Sequence, residues 1–237
     1  MTRQVCVDVA TVWSSPAAPR SIDAPATADH PDMCAWTSTL DVDARRGLHG
    51  RTETQLLRGE PVEILEEGPA GWVHVAAPWQ PSPKHSTGYP GWIRRAHLAP
   101  ETETSVGTPA GTVEAKPAGL IEWARHFVGL QYLWGGLSRY GLDCSGLVHL
   151  TYREAGVVVP RDASAQHAAA RPVALGEERT GDLYFFAGDD GHVVHVGLVT
   201  ARLRMLHAPE SGRRIEDAAL TADRQASLAA AGRFLHD

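Results

Sequence analysis

Cysteine is scarce in this sequence: Cys6, Cys34 and Cys144 are the three in 237 residues. They are widely spaced and form no Cys-x-x-Cys pair, which argues against a disulfide framework and against a structural zinc site. Blocks of positive charge are missing too. The 22 Lys+Arg stand against 28 Asp+Glu, a formal net charge of −6, so neither nucleic acid nor an anionic membrane is an expected partner. No run of about 18 apolar residues occurs, which excludes a membrane-spanning helix. The opening MTRQVCVDVATVW lacks the unbroken apolar core of a signal peptide. The expected address is therefore the cytoplasm, a reducing compartment in which a lone thiol survives.

What is present is ordinary for a globular protein: 43% hydrophobic and 21% charged residues, enough to exclude wholesale disorder. At roughly 150 residues per domain, the length suits one large or two small domains, with chain enough to bury a core unaided. Two textures divide it. Residues 5–99 are rich in Pro, Gly, Trp and Val. VCVDVATVW, PVEILEE, GWVHVAAPW and GWIRRAHL read as short strands, punctuated by Gly-Pro and Pro-Gly turns. No helical period is sustained there, so residues 1–100 read as a small all-β barrel. Residues 101–116, rich in Thr, Gly and Glu, read as a linker.

Residues 117–237 change character. Leu120, Ile121, Ala124, Phe127 and Val128 recur at helical spacing, and a second apolar stripe from Leu147 is stopped by Gly156. Asp162 is placed to cap a third helix. Strand-like GDLYFF, VVHVGLVT and RMLHA follow. Helices first and strands after read as an α+β domain. A further helix is read in DRQASLAAA near the C-terminus.

Within that domain Cys144 stands apart from the other two cysteines. In Gly141-Leu-Asp-Cys-Ser-Gly146, Asp143 is a natural N-cap, which puts Cys144 in the first turn of a helix. Free N–H groups and the helix dipole there favour a thiolate and lower its pKa, and the same N–H groups suit an oxyanion. Cys6 alternates with valines and Cys34 lies among loop-like residues, so both read as small bystanders. A thiol nucleophile needs a base and a group to orient it. With a turn read at 200–202, positions summing to 402 face each other, and 195 + 207 = 402. His195 and His207 would then oppose one another with Cβ atoms about 4.5–5.5 Å apart, His207 holding the His195 tautomer. A zinc ion on Cys144, His195 and His207 is the other chemistry open to the same set. Tyr132 and Trp134, ahead of Gly135-Gly136, read as core residues or as the lining of a cleft.

Taken in order, Tyr132-Leu-Trp-Gly-Gly136, Asp143-Cys-Ser-Gly146, Arg161-Asp-Ala163, Gly181-Asp-Leu-Tyr-Phe-Phe186, His195-Val-Gly197 and His207-Ala208 resemble the NlpC/P60 cysteine peptidases. Six motifs in sequence across 117–210 make the match specific. The resemblance implies a papain-like α+β domain in which Cys144 is the nucleophile, His195 the general base, His207 the third member and Tyr132 an aid to the oxyanion. It implies neither metal nor cofactor. Thr54-Gln-Leu-Leu57, Gly59-Glu60, Gly71-Trp72 and Gly88-Tyr-Pro-Gly-Trp92 in turn resemble a bacterial SH3b domain.

That pairing is similar to a subgroup of dipeptidyl peptidases that act on muropeptides. It implies cleavage of the γ-D-glutamyl–diamino acid bond of peptides with a free N-terminal L-Ala. Asp143, Ser145 and Asp162 match positions that hold the substrate ammonium, and Tyr89 a contributing SH3b tyrosine. Glu53 is assigned to an acidic position of the same subsite. Many members carry two SH3b domains, whereas 5–99 has room for one, with Pro19–Trp36 as an added insertion. A general D,L-endopeptidase and a non-catalytic wall-fragment binding module are the alternative functions.

Overall fold

The computed structural model describes residues 2–100, 111 and 115–235. The linker read at 101–116 falls, apart from 111, 115 and 116, outside the described residues. By their packing these residues form two units: 2–100 with 132–142, and 111 and 115–131 with 143–235.

The first unit is built on a six-stranded antiparallel sheet. Its strands are β1 (Thr2–Gln4), β2 (Val9–Trp13), β3 (Thr52–Leu57), β4 (Pro61–Glu67), β5 (Trp72–Ala77) and β6 (Tyr89–Arg94). They are arranged in the order β1-β4-β5-β6-β2-β3. The alternating valines supply its core, in which Val5, Val12, Leu56, Val62, Val73, Val75 and Ile93 are buried. The stretch VCVDVATVW is not one strand as its alternation suggests. It breaks between Gln4 and Val9, so that β1 pairs with β4 and β2 with β3. Cys6 lies in the break, its N–H bonded to the His97 carbonyl.

Between β2 and β3 the chain forms three short helices that the sequence pattern did not reveal: α1 (Ala24–Thr27), α2 (Met33–Thr39) and α3 (Val42–Arg46). Asp32 and Asp41 cap α2 and α3, each accepting a backbone N–H at 2.8 Å. Trp36 packs this insertion against Trp13, Met33, Leu40 and Leu48, and its indole N–H donates to the buried Asp23 carboxylate at 2.9 Å. Arg20 grips the same carboxylate through Nε and Nη2. Cys34 is an exposed residue of α2 rather than of a loop. Helices of four to seven residues are shorter than the window over which a 3.6-residue period is legible.

Residues 132–142 pack with this unit, closing on themselves as the strand pair β7 (Leu137–Ser138) and β8 (Gly141–Leu142). Leu133 is buried in the Trp36 cluster. The Arg45 guanidinium donates to the Tyr132 carbonyl, the Thr52 hydroxyl to the Trp134 carbonyl and the Leu137 N–H to Gln55 Oε1.

The second unit sets α4 (Pro117–Arg125), α5 (Cys144–Glu154) and α6 (Ala163–Ala169) with an antiparallel sheet. Its strands are β9 (Arg171–Val173), β10 (Leu183–Ala187), β11 (Val193–Ala201), β12 (Arg204–His207), β13 (Glu216–Ala219) and β14 (Leu228–Arg233). They lie in the order β13-β12-β11-β10-β14-β9. Helix α5 is buried from Cys144 to Arg153, including the polar Ser145, His149 and Thr151, whose side chains find partners inside the fold. It ends in a Schellman motif. Gly156, at φ +72°, donates to the Arg153 carbonyl, and Val157 to that of Tyr152. Near the C-terminus the helix is only α7 (Ala222–Ala226), and Leu228-Ala-Ala-Ala continues as β14. Alanine favours helix by propensity, but ladders to both β10 and β9 override it. No helix among the described residues is long and apolar enough to cross a membrane.

The Trp36 indole is the largest side chain holding the helical insertion together, so Trp36→Ala should lower stability by about 3–5 kcal/mol. Trp36→Phe, which keeps most of the packing and removes only the indole donor to Asp23, still held by Arg20, should cost less. Urea unfolding of both variants measures this, and equal losses would mean the indole hydrogen bond rather than packing dominates.

Candidate active site

Helix α5 begins on a carboxylate. Asp143 Oδ1 accepts the Gly146 N–H at 2.6 Å, the N-cap expected from the sequence, and this puts Cys144 at the first helical position. The same carboxylate is gripped by Arg161, with Nη1 at 2.9 Å from Oδ1 and Nη2 at 2.8 Å from Oδ2. Arg161 is 1% exposed. Its Nη1 also reaches Ser145 Oγ at 3.0 Å, and that hydroxyl donates to Asp143 Oδ1. Gln166 closes the group by donating to the Ser145 and Pro160 carbonyls. Asp143 and Ser145 are thus both engaged by Arg161, a residue the site reading omitted although it lies in the quoted Arg161-Asp-Ala163 triplet. Asp162 is at the N-cap position of α6, but its side chain makes no cap bond, contrary to expectation.

Cys144 is 9% exposed, His195 5% and His207 4%. Helix α5 packs against β11, and the Val196 N–H, one residue from His195, acts to lower the pKa of the thiol. His195 Nε2 and His207 Nδ1 are 2.8 Å apart. They meet by a register other than the one read from sequence. Leu198 pairs with Leu206 and Val199 with Met205, a sum of 404, and Ala201 pairs with Arg204 across a turn at Arg202-Leu203. His195 therefore meets His207 diagonally rather than head-on. A slip of two keeps every side chain on its face, and the long imidazoles span the diagonal. Gly197 stands across from His207. A Cβ there would come within 3.1 Å of His207 Cβ and 2.5 Å of Met205 Sδ, so a larger residue would displace the Met205 side chain and press on His207.

The electrostatics differ from the thiolate expected at a helix N-terminus. Burial, and after it the Asp143 charge, push the Cys144 thiol up to about 12, against the opposing N–H groups of Val196 and Ser145. Burial, then His207 and Arg224, hold His195 well below the usual imidazole range. Burial, with Arg224 and Arg213, brings His207 down to about 3. At neutral pH the set is a thiol and two neutral imidazoles. A thiol beside a neutral imidazole can pass its proton to that base as the sulfur attacks. The zinc alternative fares poorly. The two facing nitrogens are directed at each other, and no group of three His, Cys, Asp or Glu among the described residues is arranged to hold a metal.

The remaining expected residues lie in the first unit. Tyr132 is buried, and Trp134 donates its indole N–H to the Thr52 carbonyl and stacks on His49 at 3.5 Å between ring centroids. Glu53 and Tyr89 do come together. Glu53 Oε2 accepts from Tyr89 OH at 3.3 Å and from Lys84 Nζ at 2.6 Å, and Lys84 also donates to Tyr89 OH at 2.6 Å. Glu53 and Lys84 line a cavity of about 200 Å³ with Ser14, His74, Pro90 and Gly91. An ammonium, that of Lys84, already sits on the Glu53 carboxylate.

Residues 129–229 match the NlpC/P60 family, and residues 45–98 match the bacterial dipeptidyl-peptidase SH3 domain. The chain is 30% identical to a gamma-D-glutamyl-L-lysine dipeptidyl-peptidase of Bacillus subtilis, over 93% of this chain and 94% of the relative. It is 27% identical to the Bacillus cereus protein of the same name, over 89% and 84%. The crystal structure of an NlpC/P60 family protein from Bacillus cereus superimposes with a TM-score of 0.91 at 26% identity, covering 100% of both chains.

Two outcomes follow from the buried charges. Arg161→Met leaves the Asp143 carboxylate buried without its guanidinium and should cost about 3–5 kcal/mol. Arg161→Lys should not restore it, because one ammonium cannot span both oxygens. Loss of under about 1 kcal/mol in urea titration of Arg161→Met would contradict the role given to the pair. The second outcome concerns pH. His149, buried on α5 with Nδ1 bonded to the Val159 carbonyl, is brought down to about 3 by burial and by Arg161 and Arg153. Like His195 and His207 it stays neutral in the fold, while the unfolded chain protonates near the ordinary value of about 6.5. The unfolded state therefore binds more protons below that value. Stability is full above about pH 6.5 and falls toward pH 3, by up to about 1.4 kcal/mol per pH unit for each histidine. Urea midpoints between about pH 7 and pH 5 should show the decline, and His149→Gln should make it shallower; a flat profile would contradict it.

Proposed function

The chain belongs to the NlpC/P60 family of cysteine peptidases, and from that membership we propose that it hydrolyses the γ-D-glutamyl–L-diamino acid bond of muropeptides. The substrate carries a free N-terminal L-Ala and a Lys or diaminopimelate after the D-Glu, and the product released is L-Ala-γ-D-Glu. The observation that carries the chemistry is the 2.8 Å bond between His195 and His207, next to Val196, whose N–H acts to lower the pKa of the Cys144 thiol. Cys144 Sγ attacks the γ-carbonyl carbon while His195 takes the thiol proton. The tetrahedral intermediate collapses to a thioester as His195 returns that proton to the departing amine. Water, deprotonated by His195, then attacks the thioester and releases the γ-carboxylate and the thiol. His207 holds the His195 ring and its tautomer throughout.

The free amine enters through the relatives. A dipeptidyl-peptidase counts two residues from the N-terminus, and counting requires that the terminus be read. An ammonium is recognised by carboxylates and hydroxyls, and Asp143, Ser145 and Asp162 are the members of the second unit assigned to it. An acylated terminus leaves such acceptors unpaired, which discriminates by about 10⁴-fold where the site is built for hydrogen bonding. Trimmed peptides with a free L-Ala are the fragments met in muropeptide recycling, and we place the reaction there and in the cytoplasm. One observation favours a second reading, a D,L-endopeptidase acting on intact stem peptides. The Asp143 charge is already matched by Arg161, which weakens its pull on a substrate ammonium.

Mass-spectrometric digests of L-Ala-γ-D-Glu-L-Lys, free and N-acetylated, separate the two. The free peptide should be cleaved to L-Ala-γ-D-Glu and Lys, and the acetylated one left intact. Equal cleavage of both would establish the endopeptidase instead. Cys144→Ala should abolish turnover of either, and retained turnover would remove Cys144 as the nucleophile.

A further inference from the structure

His207 is the second ring of the pair, and what lies behind it decides whether it can do its work. A neutral imidazole has one N–H and one bare nitrogen. If His207 carries its proton on Nδ1, it donates to His195 Nε2. His195 must then hold its own proton on Nδ1 and has no lone pair left for the thiol. If His207 carries the proton on Nε2, its Nδ1 accepts the His195 Nε2–H, and His195 Nδ1 is bare. Only the second arrangement makes His195 a base.

His207 pairs directly with Glu216 in the β12–β13 ladder. Directly opposed side chains in such a ladder are near neighbours. Glu216 Oε1 lies 3.4 Å from His207 Nε2, longer than the bond on the other side of the ring but on the nitrogen that matters. An ionised carboxylate accepts and never donates, so it selects the Nε2–H form of the ring it faces. We propose that Glu216 is a positioning residue of this peptidase, which fixes the His207 tautomer and through it leaves His195 Nδ1 free to act as the base. The inference rests on the peptidase reading above, and it adds a fourth group behind the three side chains that reading uses.

The other charged groups around His207 act on a different property. Arg213, whose Nη2 is 3.8 Å from Glu216 Oε2, and Arg224 on α7 both oppose a second proton on the ring. His195 faces it across the hydrogen bond and opposes no more than a neighbouring neutral ring would. The two guanidiniums thus govern how many protons His207 holds, and Glu216 governs which nitrogen holds the single one. Arg213 also steadies the Glu216 carboxylate from behind. Glu216 is 40% exposed, so its charge acts over one contact and not across the site.

The test uses the full chain with two substitutions. Glu216→Ala removes the acceptor. It should lower kcat by about 10–100-fold, taking as a guide the effect of outer groups that orient metal-bound histidines, with KM unchanged. Glu216→Gln keeps a carbonyl oxygen able to accept the same N–H and should stay within a few-fold of the parent. Nitrogen NMR of ¹⁵N-histidine-labelled protein reads the tautomer directly and without turnover. His207 should be protonated on Nε2 in the parent and in Glu216→Gln, and should lose that preference in Glu216→Ala. A parent with the His207 proton on Nδ1 would overturn the proposal, as would a Glu216→Ala protein with unchanged tautomer and kcat. A fall in kcat equal for Gln and Ala with the tautomer unmoved would also overturn it, since that is the mark of a merely structural ion pair. Should the parent fail to cleave muropeptides, the peptidase reading falls while the NMR comparison still decides the role of Glu216.

Discussion

The Asp143 carboxylate accepts from the Gly146 N–H, the Ser145 hydroxyl and both ends of the Arg161 guanidinium fork, and the position of the Cys144 sulfur depends on it. Capping fixes where α5 starts, and the start of α5 fixes Cys144. A cap alone contributes about 1 kcal/mol. The bidentate partner makes the arrangement rigid, because a buried carboxylate tolerates few other positions once a buried guanidinium is committed to it. Gln166 and Ser145 extend the network from α6 to α5, so the helix that carries the thiol is tied laterally as well as capped.

The other half of the chemistry is positioned by a ladder. Strand pairing places side chains in steps of two residues per face, and His195 and His207 belong to the same face under either of two registers. For that reason the sequence reading found the right partners through a register that is off by two. The turn at Arg202-Leu203 was not legible because Leu203 takes a positive φ of 54° with no Gly or Asn to signal it. The N-cap at Asp143 was legible, since a carboxylate ahead of an apolar stripe is a local signal. The Arg161 pairing was not, because it joins residues 18 apart through the tertiary fold. The same division runs through the first unit. The alternating valines announce strands, while α1 to α3 are too short to show a period and β14 is spelled in helix-forming alanines.

Burial gives the site its protonation state as well as its shape. The thiol, His195 and His207 are all held uncharged, chiefly by desolvation. In such a setting a proton moved from sulfur to imidazole would create two buried charges at once, which is costly unless the charge is consumed as it forms. Attack on a carbonyl does this. The negative charge leaves sulfur for the carbonyl oxygen in the same step, and the imidazolium faces a developing anion instead of a lone thiolate. In the proposed mechanism the backbone N–H groups at the start of α5 serve the oxyanion more than the resting sulfur.

This places Asp143 in tension with itself. The carboxylate that positions Cys144 also raises its pKa, second only to burial among the causes, and Arg161 offsets the effect only in part. A neutral cap such as serine would relieve the repulsion, but it could not bind both nitrogens of the guanidinium, and Arg161 would be buried without a counter-charge. Precise placement and a resting thiolate are therefore competing demands on one residue, and the geometry here satisfies the first. Activation is left to the base, and a base can act only from a bare nitrogen. The direction of the hydrogen bond between His195 and His207 is consequently as important to the proposed mechanism as the sulfur itself.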